Sequence, residues 1–219
     1  GGVNAFSNAG TFVKQGAGTA SFFTSTSAVT FSNNGAIDVQ AGTLALNAGG
    51  TNSSAIAVAE GASLNMAGNY THAVTSSVGG AGTFHITGGT HAFAAGAQVT
   101  AGQFNLTTGT ANFAGNVSFN NFRLISGTLT GAGDVTVTGL LHWESGTMSG
   151  SGQTLVANGA TFTLNNTTHD LHRTLQNDGT ASWTAGAFQM NGGSFINNGT
   201  FNVNSGSNLS CYGTGGVNA

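Results

Sequence analysis

Ala41-Gly-Thr-Leu-Ala-Leu46, Gly61-Ala-Ser-Leu-Asn-Met66, Ala81-Gly-Thr-Phe-His-Ile86 and Ala101-Gly-Gln-Phe-Asn-Leu106 repeat one short phrase at a fixed offset of 20. Leu44, Leu64, Phe84 and Phe104 are successive members of one apolar column, and Leu46, Met66, Ile86 and Leu106 form a second column two places on. Between them stand Ala45, Asn65, His85 and Asn105. Alternation with period two is the signature of a strand with one buried face. A strand this short cannot bury that face alone, so its return at a constant interval means stacked copies that complete one another's core. The expected fold is all-β: a single-stranded parallel β-helix, or β-solenoid, running as one continuous body over residues 1–219.

The repeat weakens but persists on either side. Phe6-Ser-Asn-Ala-Gly-Thr-Phe12 returns as Phe31-Ser-Asn-Asn-Gly-Ala-Ile37 at a wider offset of 25, which assigns a loop of extra chain to one early coil. In this phrase Phe points inward, while Asn and Gly are expected to turn the corner with positive φ. Asn158-Gly159, Asn177-Asp-Gly179 and Asn197-Asn-Gly199 repeat the corner. Ser126-Gly-Thr-Leu-Thr-Gly-Ala-Gly-Asp134 and Ser145-Gly-Thr-Met-Ser-Gly-Ser-Gly-Gln153 are one unit offset by 19, and Arg123, between Phe122 and Leu124, faces outward by alternation. A period near 20 divides the chain into about 10 or 11 coils, a rod roughly 50 Å long at a strand spacing of ~4.8 Å.

Composition narrows the class. Charged residues are 4% of the chain, Gly is abundant and Pro is absent, while hydrophobic residues reach 39%, too many at too regular a spacing for a disordered chain. Without Pro or a three-fold sequence period, collagen is excluded. A net charge of −3 from three basic and six acidic residues leaves no basic stripe for phosphates, which argues against nucleic acid. No apolar run approaches the roughly 18 residues of a membrane span, so no membrane insertion is expected. Cys211 has no internal disulfide partner and reads as a small buried apolar side chain or an intermolecular bridge.

Between Leu141 and Asn204 the phrases His142-Trp-Glu-Ser-Gly-Thr-Met-Ser-Gly-Ser-Gly152, Ala157-Asn-Gly-Ala-Thr-Phe-Thr-Leu164, Arg173-Thr-Leu-Gln-Asn-Asp-Gly-Thr180, Trp183-Thr-Ala-Gly-Ala-Phe188 and Phe195-Ile-Asn-Asn-Gly-Thr-Phe201 accumulate. They resemble repeats of very large secreted bacterial surface proteins, the autotransporter-like and haemagglutinin-type adhesins. The resemblance implies a right-handed parallel β-helix exported to the cell surface by a signal outside this sequence. Those motifs are structural, so they imply no catalytic residue.

Side chains that carry chemistry are sparse. Thr168-His169-Asp170-Leu171-His172-Arg173 is the densest polar cluster; alternation puts Asp170 and His172 on one face, and a solvated loop or edge is the expected setting. His72 and His91, 19 apart, are placed to stack on adjacent coils as an exposed ladder, with His85 nearby. Enzymatic β-helices cleave polysaccharides with acidic clusters, so Asp38 and Glu60, 22 apart, and Asp134 and Glu144, 10 apart, are the pairs to check against Lys14, Arg123 and Arg173. Six acids spread along a rod do not make such a cluster. Gly131-Ala-Gly-Asp134 is a single imperfect copy of a calcium nonapeptide, and the Thr-x-Thr pairs are too irregular for an ice-binding array. The reading is of no enzyme, no metal and no cofactor.

The leading expectation is a structural extracellular fibre or surface-protein rod. The alternative is an adhesin stalk binding a glycan or host surface, with Asn47 to Ser54 and Ala67 to Gly80 as candidate loops. The assembly ends are expected at Gly1, Gly2, Val3, Asn4 and Ala5 and at Gly215, Gly216, Val217, Asn218 and Ala219, because Gly-Gly-Val-Asn-Ala occurs at both places, offset by 214. The recurrence reads as one unit of a longer tandem chain or of a filament, with the protein as its own partner. Neither end shows an amphipathic helix or charge cluster that would cover an open edge.

Overall fold

The computed structural model describes residues 4–24 and 27–211. They form strands and connecting turns with no helix, wound as a parallel β-solenoid of about nine coils of roughly 20 residues. Each coil lays one strand on each of three faces. The first face opens with Asn4–Asn8, Ser27–Asn33, Gly50–Asn52 and Tyr70–His72; the second with Thr11–Lys14, Ala36–Val39 and Ala55–Val58; the third with Thr19–Ser21, Thr43–Leu46 and Ser63–Met66. In Ser77–Phe93 and Gln98–Phe113 the strand continues round the corners through register shifts.

The repeated phrase sits on the third face. Thr43–Leu46, Ser63–Met66 and the segments 83–86 and 103–106 pair in parallel, so Leu44, Leu64, Phe84 and Phe104 lie side by side, as do Leu46, Met66, Ile86 and Leu106. All eight are buried. Nine turns separate Ala20 from Phe201 along this ladder, fewer than the 10 or 11 coils obtained by dividing the whole chain, because the segments flanking those two residues add only partial coils. Parallel pairing is kept while the length of a turn varies, from an offset of 18 between Phe104 and Phe122 to one of 25 between Phe6 and Phe31. Corners absorb the difference.

The long early turn has a specific cause. Phe23 and Thr24 pair with Ala28 and Ser27 as the one antiparallel contact among the described strands, a hairpin spliced between the third face of one coil and the first face of the next. It is the loop of extra chain that the offset of 25 required.

The Asn-Gly corners differ from expectation in mechanism. Asn8, Asn33, Asn177 and Asn197 do not adopt positive φ, nor do Gly10, Gly35, Gly179 and Gly199; Gly159 does, and Asn166 is the one described non-glycine residue that does. Close approach requires the glycine instead. A Cβ on Gly35 would lie 2.1 Å from the Gly10 carbonyl oxygen, and one on Gly199 would lie 2.1 Å from that of Gly179. Consecutive coils are stacked too tightly at this corner for any side chain.

Candidate functional site

The described residues hold three kinds of place where chemistry collects: polar side chains inside the core, polar ladders on the wall, and the end coils.

Inside, an asparagine ladder rises along the first face. Asn8 Nδ2 donates to Asn33 Oδ1 at 2.8 Å, and Asn33 Nδ2 donates to Asn52 Oδ1 at 2.9 Å. The interior polar character then passes to Tyr70, His72 and His91. His72 Nε2 lies 3.3 Å from His91 Nδ1, and the His72 ring stacks on Phe93 at 4.1 Å between centroids. The two histidines do stack, but inside the core and not as an exposed ladder: both are fully buried, because the first face turns them inward, His72 in the file that continues as Phe93 and Phe113 and His91 in the neighbouring file between Tyr70 and Ala111. Burial holds His72 down at about 3, with His91 adding to the effect, and holds His91 down at about 4 against a backbone hydrogen bond that raises it. Both rings are neutral near pH 7. Asn52 Nδ2, the Tyr70 hydroxyl, His72 Nδ1 and His91 Nε2 make no hydrogen bond among the described residues.

The 168–173 cluster is likewise mostly interior. His169 is buried, with Nε2 at 2.9 Å from the Trp143 carbonyl and 3.0 Å from that of Asn165. Arg173 is 3% exposed and reaches back across the stack: Nε donates to the Gly152 carbonyl at 2.6 Å, Nη2 to those of Gly133 and Gln153 at 3.0 Å each. Burial lowers its pKa to about 10, opposed by the negative charge of Asp134. Only Asp170 and His172 match the solvated reading, paired at 3.0 Å on the outer side. Polarity alone predicts a loop for this hexapeptide; closing the corner around backbone carbonyls makes His169 and Arg173 interior. Lys14 belongs to the same class, turned inward with its ammonium on the carbonyls of Gln15, Gly16 and Ala41.

On the third-face wall, Arg123 faces outward and pairs with Glu144, which His142 approaches at 3.8 Å. Asn105 stands in the outward column yet is 7% exposed, because Gln103 and His85 close over it through hydrogen bonds of 2.9 and 3.2 Å. Asp134 Oδ1 accepts from the Gln153 backbone N–H at 2.8 Å, and its charge reaches the buried Arg173. Register sets Asp38 beside Ala57 and not Glu60, while Lys14 points the other way. Among the described residues no three His, Cys, Asp or Glu side chains gather around one point.

The two stretches offered as adhesive loops are coil wall. Gly50–Asn52 and Tyr70–His72 are first-face strands, with Asn52, Tyr70 and His72 buried. Cys211 is exposed, since it follows the last described strand, Leu209–Ser210, and no later described coil covers it.

At the end coils the core comes to the surface. Phe6 stacks on Phe31 at 5.0 Å but is 37% exposed on its other side; Val203 and Leu209, which continue the ladders of Trp183 and Phe188, are 55% and 49% exposed. Of the expected assembly residues, Asn4 and Ala5 lie in the first strand, exposed. Gly1, Gly2, Val3, Gly215, Gly216, Val217, Asn218 and Ala219 lie outside the described residues. No protein-family model, curated protein or solved structure matches this chain.

Proposed function

We propose that this chain is a length of structural fibre that extends by stacking coil on coil through its open ends, and that it works outside the cell or on its surface. One observation carries the reading. Large apolar side chains exposed on the described surface are Phe6, Val13, Val74, Leu140, Ile196, Val203 and Leu209, and all but Val74 and Leu140 belong to the first or last coil. Phe6, Val203 and Leu209 point along the inner ladders, so each is a core side chain with no next neighbour among the described residues. A coil edge of this kind presents unpaired backbone and bare apolar surface together, which is a template for another strand layer. The wall adds to the same reading, since several of its polar side chains bond along the stack, Gln15 to Gln40, Gln153 to Gln176 and Asn198 to Asp178.

Export rests on composition and resemblance: a 4% charged, Gly-, Ser- and Thr-rich chain with repeats like those of secreted surface rods. The protein is its own partner in this reading, and no enzyme activity is part of it. Sedimentation and electron microscopy of the purified chain over a range of concentrations test it. Unbranched filaments that lengthen with concentration are expected. Single rods at every concentration would overturn it.

A further inference from the structure

The first and last coils are copies of one another displaced by one face, and this sets how one rod meets the next. The first described coil carries Phe6 on the first face, Phe12 on the second and Ala20 on the third. The last carries Phe195 on the second face, Phe201 on the third and Leu209 on the first. The three pairs Phe6 and Phe195, Phe12 and Phe201, Ala20 and Leu209 share one offset, 189. The corner phrase agrees: Phe6-Ser-Asn-Ala-Gly-Thr-Phe12 against Phe195-Ile-Asn-Asn-Gly-Thr-Phe201.

The hydrogen bonds of the two corners agree atom for atom. Where the second coil sits on the first, Asn34 N and Gly35 N donate to the Asn8 carbonyl, Ala36 N donates to the Gly10 carbonyl, and Asn8 Nδ2 donates to Asn33 Oδ1 and the Ala36 carbonyl. Where the last coil sits on its predecessor, Asn198 N and Gly199 N donate to the Asn177 carbonyl, Thr200 N donates to the Gly179 carbonyl, and Asn177 Nδ2 donates to Asn197 Oδ1 and the Thr200 carbonyl. In both, the asparagine amide points toward the following coil. Asn197, the last of this ladder among the described residues, therefore carries a donor, turned onto its own Gly199 carbonyl at 3.1 Å, and Asn8, the first, carries an Oδ1 that takes no hydrogen bond among the described residues.

We infer that the last coil receives the first coil of a second copy of this chain rotated by one face, with Phe6, Ser7 and Asn8 of the next copy seated on Phe195, Ile196 and Asn197. The pairing continues with Phe12 on Phe201 and Ala20 on Leu209. The corner then repeats itself: Ala9 N and Gly10 N of the next copy donate to the Asn197 carbonyl, Thr11 N donates to the Gly199 carbonyl, and Asn197 Nδ2 reaches Asn8 Oδ1 and the Thr11 carbonyl. Phe6 gains Phe195 and Leu209 gains Ala20 as an apolar neighbour on its open side. Lys14 of the next copy falls opposite Val203, and its ammonium, tied to its own carbonyls, leaves no free charge in the joint. Unrotated docking, first face on first face, would instead set Asn4–Asn8 over Leu209–Ser210, with no corner phrase beneath it and no asparagine to continue the ladder.

This inference rests on the fibre reading and adds its register, so the experiment reads the two separately. In a Cys211→Ser background, Ser7→Cys with Ile196→Cys places two outward cysteines on directly paired strands across the rotated joint, at about 5 Å between Cα atoms and within disulfide reach. Ser7→Cys with Ser210→Cys reports the unrotated joint. Mild oxidation is expected to give a ladder of covalent oligomers with the first pair and monomers with the second, while sedimentation measures assembly in both. In the full chain, Asn197→Ala is expected to raise the concentration needed for assembly about tenfold, the equivalent of one interior hydrogen bond at the joint, beyond the fall in the monomer's melting temperature that follows from losing the acceptor of Asn177 Nδ2. Oligomers that sediment but link through Ser210, or through neither pair, overturn the rotated register and leave the fibre reading standing. Absence of oligomers at every concentration overturns both.

Discussion

Phe84 and Asn105 are neighbours on adjacent coils and face opposite ways, which makes them the clearest measure of what one residue contributes. Phe84 is wholly enclosed between Leu64 and Phe104, and Phe84→Ala is expected to cost about 3–5 kcal/mol in chemical denaturation. Asn105 is covered only by Gln103 and His85, so Asn105→Ala is expected to cost about 1 kcal/mol. Equal losses would mean that the faces are misassigned. His72 and His91 add a pH dependence. Their folded pKa values, about 3 and about 4, lie below the ordinary 6.5, so the unfolded chain takes up protons that the folded chain refuses. Stability from these rings is full above about pH 6.5 and falls as pH drops toward 4, by up to about 1.4 kcal/mol per pH unit for each histidine. Replacing both with Phe, which at His72 continues the stacked file of Phe93 and Phe113 and at His91 packs between Tyr70 and Ala111, is expected to flatten urea midpoints measured between pH 7 and pH 4.

At the scale of the coil, strands supply the regular part and corners supply the choice. Strand ladders tolerate turns whose offsets run from 18 to 25 because the surplus leaves at a corner, as the Phe23–Thr24 hairpin shows. Corners that close around backbone carbonyls need a donor inside, and Arg173 is such a donor for two earlier turns of chain, at Gly133 in one and at Gly152 and Gln153 in the next. Arg173→Met keeps the bulk and removes the donors, leaving those carbonyls buried and unpaired. It is expected to lower stability by about 2–4 kcal/mol, with Arg173→Lys recovering part, both read as shifts in denaturation midpoint. A denaturation midpoint unchanged by Arg173→Met would show that water serves the corner equally well.

For the whole molecule, a solenoid is stabilised by neighbours, so an end coil is weaker than a middle one until something stacks on it. In the proposed fibre, assembly and stability are therefore linked. Hydrogen exchange on dilute and concentrated samples is expected to show protection of residues 4–8 and 194–203 rising with concentration, while amides of Ser63–Met66 stay protected throughout. Exchange at both ends that ignores concentration would separate the end coils from any assembly.

The period of 20, the alternation within it and the low charge are local properties of the chain, and they determined the strands, the inward columns at Leu44 and Leu46 and the parallel stack, because a strand that cannot bury itself has few other solutions. The same local pattern places the surplus of the early turn between Phe12 and Phe31 and puts Arg123 outside. What it does not decide is the direction of polar side chains near corners. Chemical type predicts solvated positions for His72, His91, His169, Arg173 and Lys14, yet each is buried. Whether a position next to a corner faces in or out depends on where the chain bends, and the hydrogen-bond partners that offset the cost of burying Arg173 are carbonyls 20 to 40 residues away. The displacement of the last coil by one face relative to the first is tertiary in the same way: the phrase Phe-x-Asn-x-Gly-Thr-Phe is shared by both ends, and only the accumulated lengths of the intervening turns decide which face it lands on.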